Sequence, residues 1–302
     1  MNFSFLFPAT VAAAAQTVEV NTPMAFRTVA VSSIYLVLAI TGLAVQLFLL
    51  IRPQLRPSAL RDRAPLPSSP LLSSEGLGLC AVLLGLYGAL FVAIPAWTVH
   101  GDSPTVVNRW LLVAQSLIFQ GVTLGFVALV LRKTGRSWRG AFGVRLTRIG
   151  RNSGLALLFY LSALPHVLIY GLVAQRILRM AGFEGEIQPV IQILSSEHPA
   201  WLRVYLVALG VGVAPLAEEV LFRGIGLPLL MKRIGTAPAI LVLSLIFALL
   251  HFNVAAFVPL FVISIGFSLS YLLTGDLTVP VLMHAFFNTV SFSLMKFLGE
   301  GL

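Results

Sequence analysis

The sequence predicts an all-α fold, a polytopic membrane helix bundle of about eight transmembrane helices. Three observations predict it. Hydrophobic residues make up 58% of the 302 and charged ones only 10%. Mean hydropathy is +0.95. The apolar residues also fall in repeated runs close to the roughly 20 that a helix needs to cross a hydrocarbon layer. A soluble domain carries about 25% charged residues, so an aqueous globular enzyme is excluded.

In chain order the spans are expected near 29–51, 76–99, 110–131, 154–173, 202–221, 237–252, 256–273 and 279–297. The sixth is short. Gly and Pro recur inside several of them, which membrane helices tolerate where neighbours satisfy the freed backbone groups. Two stretches read as linkers. Residues 52–74 are rich in Pro, Ser and Arg, and 182–199 mix Glu184, Glu186 and Glu197 with the apolar 190–194, as a surface-lying segment would. The stretch 224–236 is compatible with a loop, an interfacial helix or a helix extension. No fixed-period repeat is present. The chain thus divides into a tail (1–27), four membrane spans with basic loops (28–200) and a membrane domain (201–299) that holds the motifs described below.

The net charge of +9 raises nucleic acid as a partner, but the distribution of cations argues against it. Arg52, Arg56, Arg61 and Arg63 follow the first span. Arg132, Lys133, Arg136, Arg139, Arg145, Arg148 and Arg151 follow the third, and Lys232 and Arg233 the fifth. These three loops alternate onto one side, as the positive-inside rule requires, with both termini on the other. A lipid-binding patch on the membrane surface is compatible with the same residues. No aromatic–basic interleaving of the kind single strands require is present. The apolar, Ala-rich stretch 3–15 has no basic residue before Arg27, so it reads as an external tail rather than a secretory signal. Cys80 is the single cysteine, which excludes an intrachain disulfide and a multi-thiolate metal site.

Of eleven acidic residues, only Glu218 and Glu219 fall inside an apolar run. A carboxylate at membrane depth is costly and usually functional. Arg223 lies four residues after Glu219 on the same helical face, where its fork can clamp that carboxylate. Glu218 is about 100° around the helix and escapes the clamp. Glu219 is therefore expected to be an ionised brace, and Glu218 a base. Phe247 and His251 close the sixth span, and His284 and Asn288 project together from the eighth. His251 is suited to share a water with Glu218, and His284 and Asn288 to donate to an oxyanion. Bland alternatives stay open: a structural ion-pair knot, a satisfied core histidine, ordinary interhelical polar contacts and plain packing by Phe247. His166, mid-span with no acidic neighbour in sequence, reads as structural; His100 and His198 are loop residues.

The same atoms allow a metal reading. Glu218, His251 and His284 form a set that catalytic zinc accepts with water in fourth place, although no His-Glu-x-x-His helix is present. A second Glu and an Asn fit a metal-free hydrolase better, so no cofactor is favoured and zinc is the alternative.

Read in order, Glu218-Glu219-Val-Leu-Phe-Arg223-Gly224, then Phe247-x-x-x-His251, then His284-x-x-x-Asn288 resemble the CPBP family. These are CAAX-protease, bacteriocin-processing and Abi-like membrane proteins, including the type II CAAX prenyl endopeptidases. The resemblance covers roughly 202–298. It implies an intramembrane peptidase of about eight helices, integral to a membrane, such as a prokaryotic plasma membrane, and acting on a membrane-associated protein or peptide. It further implies that Glu218 and His251 activate water, that His284 and Asn288 form an oxyanion hole, and that Glu219 and Arg223 brace the site. Members have long been called metalloproteases, while a glutamate-dependent mechanism is implied by better understood relatives. Two other functions compete: a non-catalytic binding or bacteriocin self-immunity protein, and a carrier using the buried carboxylate. Against the carrier, no two halves match.

Overall fold

Helices form wherever long apolar runs can close every backbone hydrogen bond within one segment, as a membrane demands. The computed structural model describes residues 22–51, 85, 109–183 and 200–299, and no strand occurs among them. The expected span 76–99 apart from residue 85, the linker 52–74, most of 182–199, and Cys80, His100 and His198 lie outside the described residues.

The helices are α1 (Thr22–Ile51), α2 (Arg109–Lys133) and the short α3 (Trp138–Phe142). After a 3₁₀ turn at Leu146–Arg148 comes α4 (Ile149–Met180). A continuous helical rod then runs from Ala200 to Ile234. It comprises α5 (Ala200–Ala208), a π-helical turn (Leu209–Val213), α6 (Ala214–Glu219), a second π-helical turn (Val220–Gly226) and α7 (Leu227–Ile234). The remaining helices are α8 (Thr236–Leu249), α9 (Val254–Thr274) and α10 (Thr278–Gly299).

Among the described residues, five stretches are long and apolar enough to cross a membrane: Val29–Phe48, Ser116–Lys133, Leu146–Met180, Ala200–Ile234 and Val254–Thr274. The fold class is a polytopic helical membrane bundle. α8, where the short sixth span was expected, has 14 residues. That is about 21 Å at 1.5 Å per residue, less than the roughly 30 Å hydrocarbon layer.

The fifth span was expected to end at 221, and the rod instead continues to Ile234. Its prolines explain how. Ala214 donates its N–H to Leu209 O, five residues back, and the next residue, Pro215, has no N–H to give. Leu227 donates to Phe222 O in the same wide register, and Pro228 follows it. Each proline is thereby absorbed at a π-turn instead of ending the helix. The rod stops only at Gly235, whose φ of +84° favours glycine.

α4 packs against α1, α9 and α10, while α8 packs on α7 and α9. Gly42 of α1 allows a close approach to α4: a Cβ there would fall 2.0 Å from Leu161 O and 2.9 Å from Pro165. Leu161 O is the carbonyl that Pro165, lacking an N–H, leaves free within α4. At the α9 N-terminus, Asn253 Oδ1 accepts from Ala256 N at 2.7 Å. At its C-terminus Gly275 adopts the left-handed conformation and donates to Tyr271 O at 2.8 Å. The following turn receives α3, with Leu277 N donating to Phe142 O at 3.1 Å.

Candidate active site

Glu218 and Glu219 close α6, between the two π-turns. Glu218 lies 18 residues into the rod, about 27 Å from its start, near the rod's middle. Such wide turns occur often at functional sites, and here each turns carbonyls out of the helix ladder beside the acidic pair. Glu219 is fully buried, whereas the Glu218 side chain retains 17% exposure.

Arg223, on the second π-turn, is 1% exposed yet each of its three guanidinium nitrogens has an acceptor. Nη1 donates to Glu219 Oε1 at 2.9 Å, and Nη2 to Ser264 O at 2.9 Å and Ser264 Oγ at 2.6 Å. Nε reaches Ser268 Oγ at 3.4 Å. The faces of the guanidinium meet aromatic rings, with Cζ 5.0 Å from the Phe247 centroid, 5.1 Å from Phe267 and 5.7 Å from Phe222. A buried ion pair holds only when its remaining donors are met, and α9 meets them through serines one helical turn apart.

Glu219 Oε1 has a second donor. His284 Nδ1 lies 3.0 Å from it, and since a carboxylate only accepts, Nδ1 carries the proton. One carboxylate oxygen therefore ties Arg223 of the rod to His284 of α10. His284 is 4% exposed and stacks on Phe267 with centroids 4.8 Å apart. Its other nitrogen, Nε2, faces Glu218 Oε2 at 3.9 Å. With Nδ1–H committed to Glu219, Nε2 donates when the ring is an imidazolium and accepts when it is neutral.

His251 sits in the turn after α8, where Nδ1 donates to Phe247 O at 2.7 Å. In the neutral ring that bond leaves Nε2 as the lone-pair nitrogen. Glu218 and His284 are both near enough to act on it electrostatically. Phe247 joins the parts. Its ring is 4.7 Å from His251, 5.8 Å from His284 and 5.2 Å from Phe222, centroid to centroid.

Asn288 is four residues along α10 from His284, but its Nδ2 donates to Gly210 O at 2.7 Å. Gly210 lies in the first π-turn, and its carbonyl is available because Ala214 N–H serves Leu209 O and Pro215 has none. Asn288 keeps one amide N–H beyond that bond.

The site residues expected from sequence thus lie on the rod, α8 with the turn after it, and α10, and Arg223 hydrogen-bonds Glu219. His284 is anchored on Glu219 and Asn288 on Gly210. Sequence reasoning missed Ser264, Ser268, Phe267 and Gly210. The serines recur four apart in an apolar helix, a signal for a buried polar partner. His166 lines an apolar cavity of about 1060 Å³ between α1, α4 and α9 instead, where Gln46 Nε2 meets its Nδ1 at 3.3 Å.

Among the described residues, no three His, Cys, Asp or Glu side chains come together in ligating geometry. Each imidazole gives Nδ1 to a protein oxygen, leaving two Nε2 atoms and the Glu218 carboxylate as the donors a metal would need. Glu218 Oε2 is itself buried with no hydrogen-bond partner among the described residues.

Fold and site together define a helical membrane protein with two carboxylates, two imidazoles and a guanidinium gathered inside the bundle. The family model described as type II CAAX prenyl endopeptidase Rce1-like, a peptidase family, matches residues 199–290. That stretch holds every motif of the CPBP resemblance and is similar to an Rce1-like domain. No curated protein and no solved structure matches the chain.

Proposed function

We propose that the chain is an intramembrane endopeptidase that hydrolyses a peptide bond of a membrane-associated protein or peptide. The carrying observation is Glu218 Oε2, buried and without a hydrogen-bond partner among the described residues, beside His284 and within the electrostatic reach of His251. A buried carboxylate oxygen without a donor costs free energy, and a water held there offsets that cost. Glu218 or the Nε2 of His251 takes a proton from this water as its oxygen attacks the carbonyl carbon. The new oxyanion accepts from the remaining Asn288 N–H and from His284 as imidazolium. The proton taken from water passes to the leaving amine as the C–N bond breaks. Glu219 fixes the orientation of the His284 ring through Nδ1, as the buried aspartate does in a serine-protease triad.

The name of the matched family directs the choice of substrate toward peptides with a CAAX-type, prenylated C-terminal tail. Such peptides, prenylated and unprenylated, are incubated with purified protein, with and without chelator, beside Glu218→Ala. Cleavage by the wild type and not by folded Glu218→Ala is expected, with chelator making no difference. Undiminished cleavage by Glu218→Ala sinks the proposal. Loss with chelator and recovery with zinc would overturn the metal-free reading, and Glu218, His251 and His284 would then be the residues to hold a metal that activates the water.

A further inference from the structure

Seven cationic side chains stand between Arg132 and Arg151, and no acidic residue occurs between Asp102 and Glu184. Arg132, Lys133, Arg139, Arg148 and Arg151 are exposed. None of these five stands in an ion pair with a described carboxylate. Their depth is set by the helices on either side. The segment joins the span ending at Lys133 to the span beginning at Leu146, which places it at the level of the lipid headgroups. Leu146 and Ile149 stand between the cations, 73% and 46% exposed. Cations interleaved with exposed aliphatic side chains suit a surface that is anionic outside and apolar beneath, unlike a nucleic acid.

The segment is also fastened to the candidate site. Phe142 is fully buried, and a Cβ on Gly224 would fall 2.9 Å from its ring. Gly143, at φ +75°, lies so close to Gly275 O that a Cβ would fall 1.9 Å from it. Gly224 is the residue after Arg223, so α3 rests directly on the π-turn that carries the guanidinium.

We propose that the segment from Arg132 to Arg151 is a binding surface for anionic phospholipid headgroups, and that their binding holds α3 against the Arg223 π-turn. Headgroup phosphates neutralise the unpaired cations while Leu146 and Ile149 enter the acyl region. Attraction of this kind is additive over cations and is screened by salt.

The test uses the full chain in a neutral detergent, titrated with short-chain phosphatidylglycerol or phosphatidylcholine while thermal unfolding is followed. Phosphatidylglycerol is expected to raise Tm and phosphatidylcholine to leave it unchanged. The triple variant Arg139→Gln, Arg148→Gln, Arg151→Gln should match the wild type in phosphatidylcholine and bind phosphatidylglycerol on the order of 100-fold more weakly. Should the variant fold poorly, the wild type alone decides, because 1 M salt, with a screening length of about 3 Å, should abolish the increment. Equal increments with both lipids, an undiminished response in the variant, or insensitivity to salt overturns the proposal. So does an oligonucleotide that reproduces the full increment, which would mark a general polyanion site. None of these readouts depends on peptide cleavage.

Discussion

Asn288 Nδ2 donates to Gly210 O at 2.7 Å, and the bond exists because Pro215 has no N–H to offer that carbonyl. A proline on the rod thereby orients an amide on α10. Pro215→Ala restores a backbone donor that competes with Asn288. The expected result is a fall in kcat with KM little changed, since the loosened donor acts on an oxyanion present only in the transition state. Asn288→Ala should cost about 10²- to 10³-fold in kcat, the usual effect of deleting one such donor. Pro215→Ala should cost less, and its helical content should match the wild type by circular dichroism. A drop confined to KM would detach Asn288 from the oxyanion.

The two glutamates should separate by what their variants lose. Glu218→Gln removes the base and leaves the Arg223 cage intact, so cleavage stops while Tm stays near the wild-type value. Glu219→Gln strips the charge that Arg223 and His284 share. One partner of a buried pair left alone costs about 3–5 kcal/mol, so Tm should fall sharply along with activity. Equal Tm losses for both substitutions would contradict this division.

Much of this division is legible in the sequence, because it lies within single helices. The four-residue step from Glu219 to Arg223 puts both side chains on one face, and the apolar run around Glu218 puts it inside a span. The histidine and asparagine motifs likewise stand where the spans place them. What escapes a one-dimensional reading is contact between helices. Nothing in the spacing of His284 and Asn288 says that one meets Glu219 and the other Gly210. The π-turns are also hidden, since Gly210, Gly212, Gly224 and Gly226 before Pro215 and Pro228 look like helix breakers. Only the bundle shows those prolines absorbed in a rod that runs on to Ile234.

The serines of α9 provide a graded test. Ser264→Ala removes the Oγ acceptor at 2.6 Å from Arg223 Nη2 but leaves the Ser264 carbonyl at 2.9 Å. Ser268→Ala removes a 3.4 Å contact to Nε with no backbone substitute recorded for it. A buried donor that loses its only acceptor costs about 1–3 kcal/mol. The two substitutions should each lower stability by roughly that amount or less, and the double substitution by more than either. Ser→Thr at each position retains a hydroxyl and should recover part of the loss. Full stability in the double alanine variant would mean that Glu219, the Ser264 carbonyl and the aromatic rings suffice to hold the guanidinium.

Gly224 tests the fastening of α3 independently of any lipid. A methyl group there would sit 2.9 Å from the Phe142 ring, which the Leu277 N–H to Phe142 O bond helps to fix. Overpacking of this kind costs about 1–3 kcal/mol, and the strain falls on the turn that carries Arg223. Gly224→Ala should therefore lower both Tm and cleavage. Adding Phe142→Leu relieves the clash at the ring edge, so the double variant should be more stable than the sum of the two single losses, a coupling expected of residues in contact. Strict additivity would show that α3 does not bear on the π-turn.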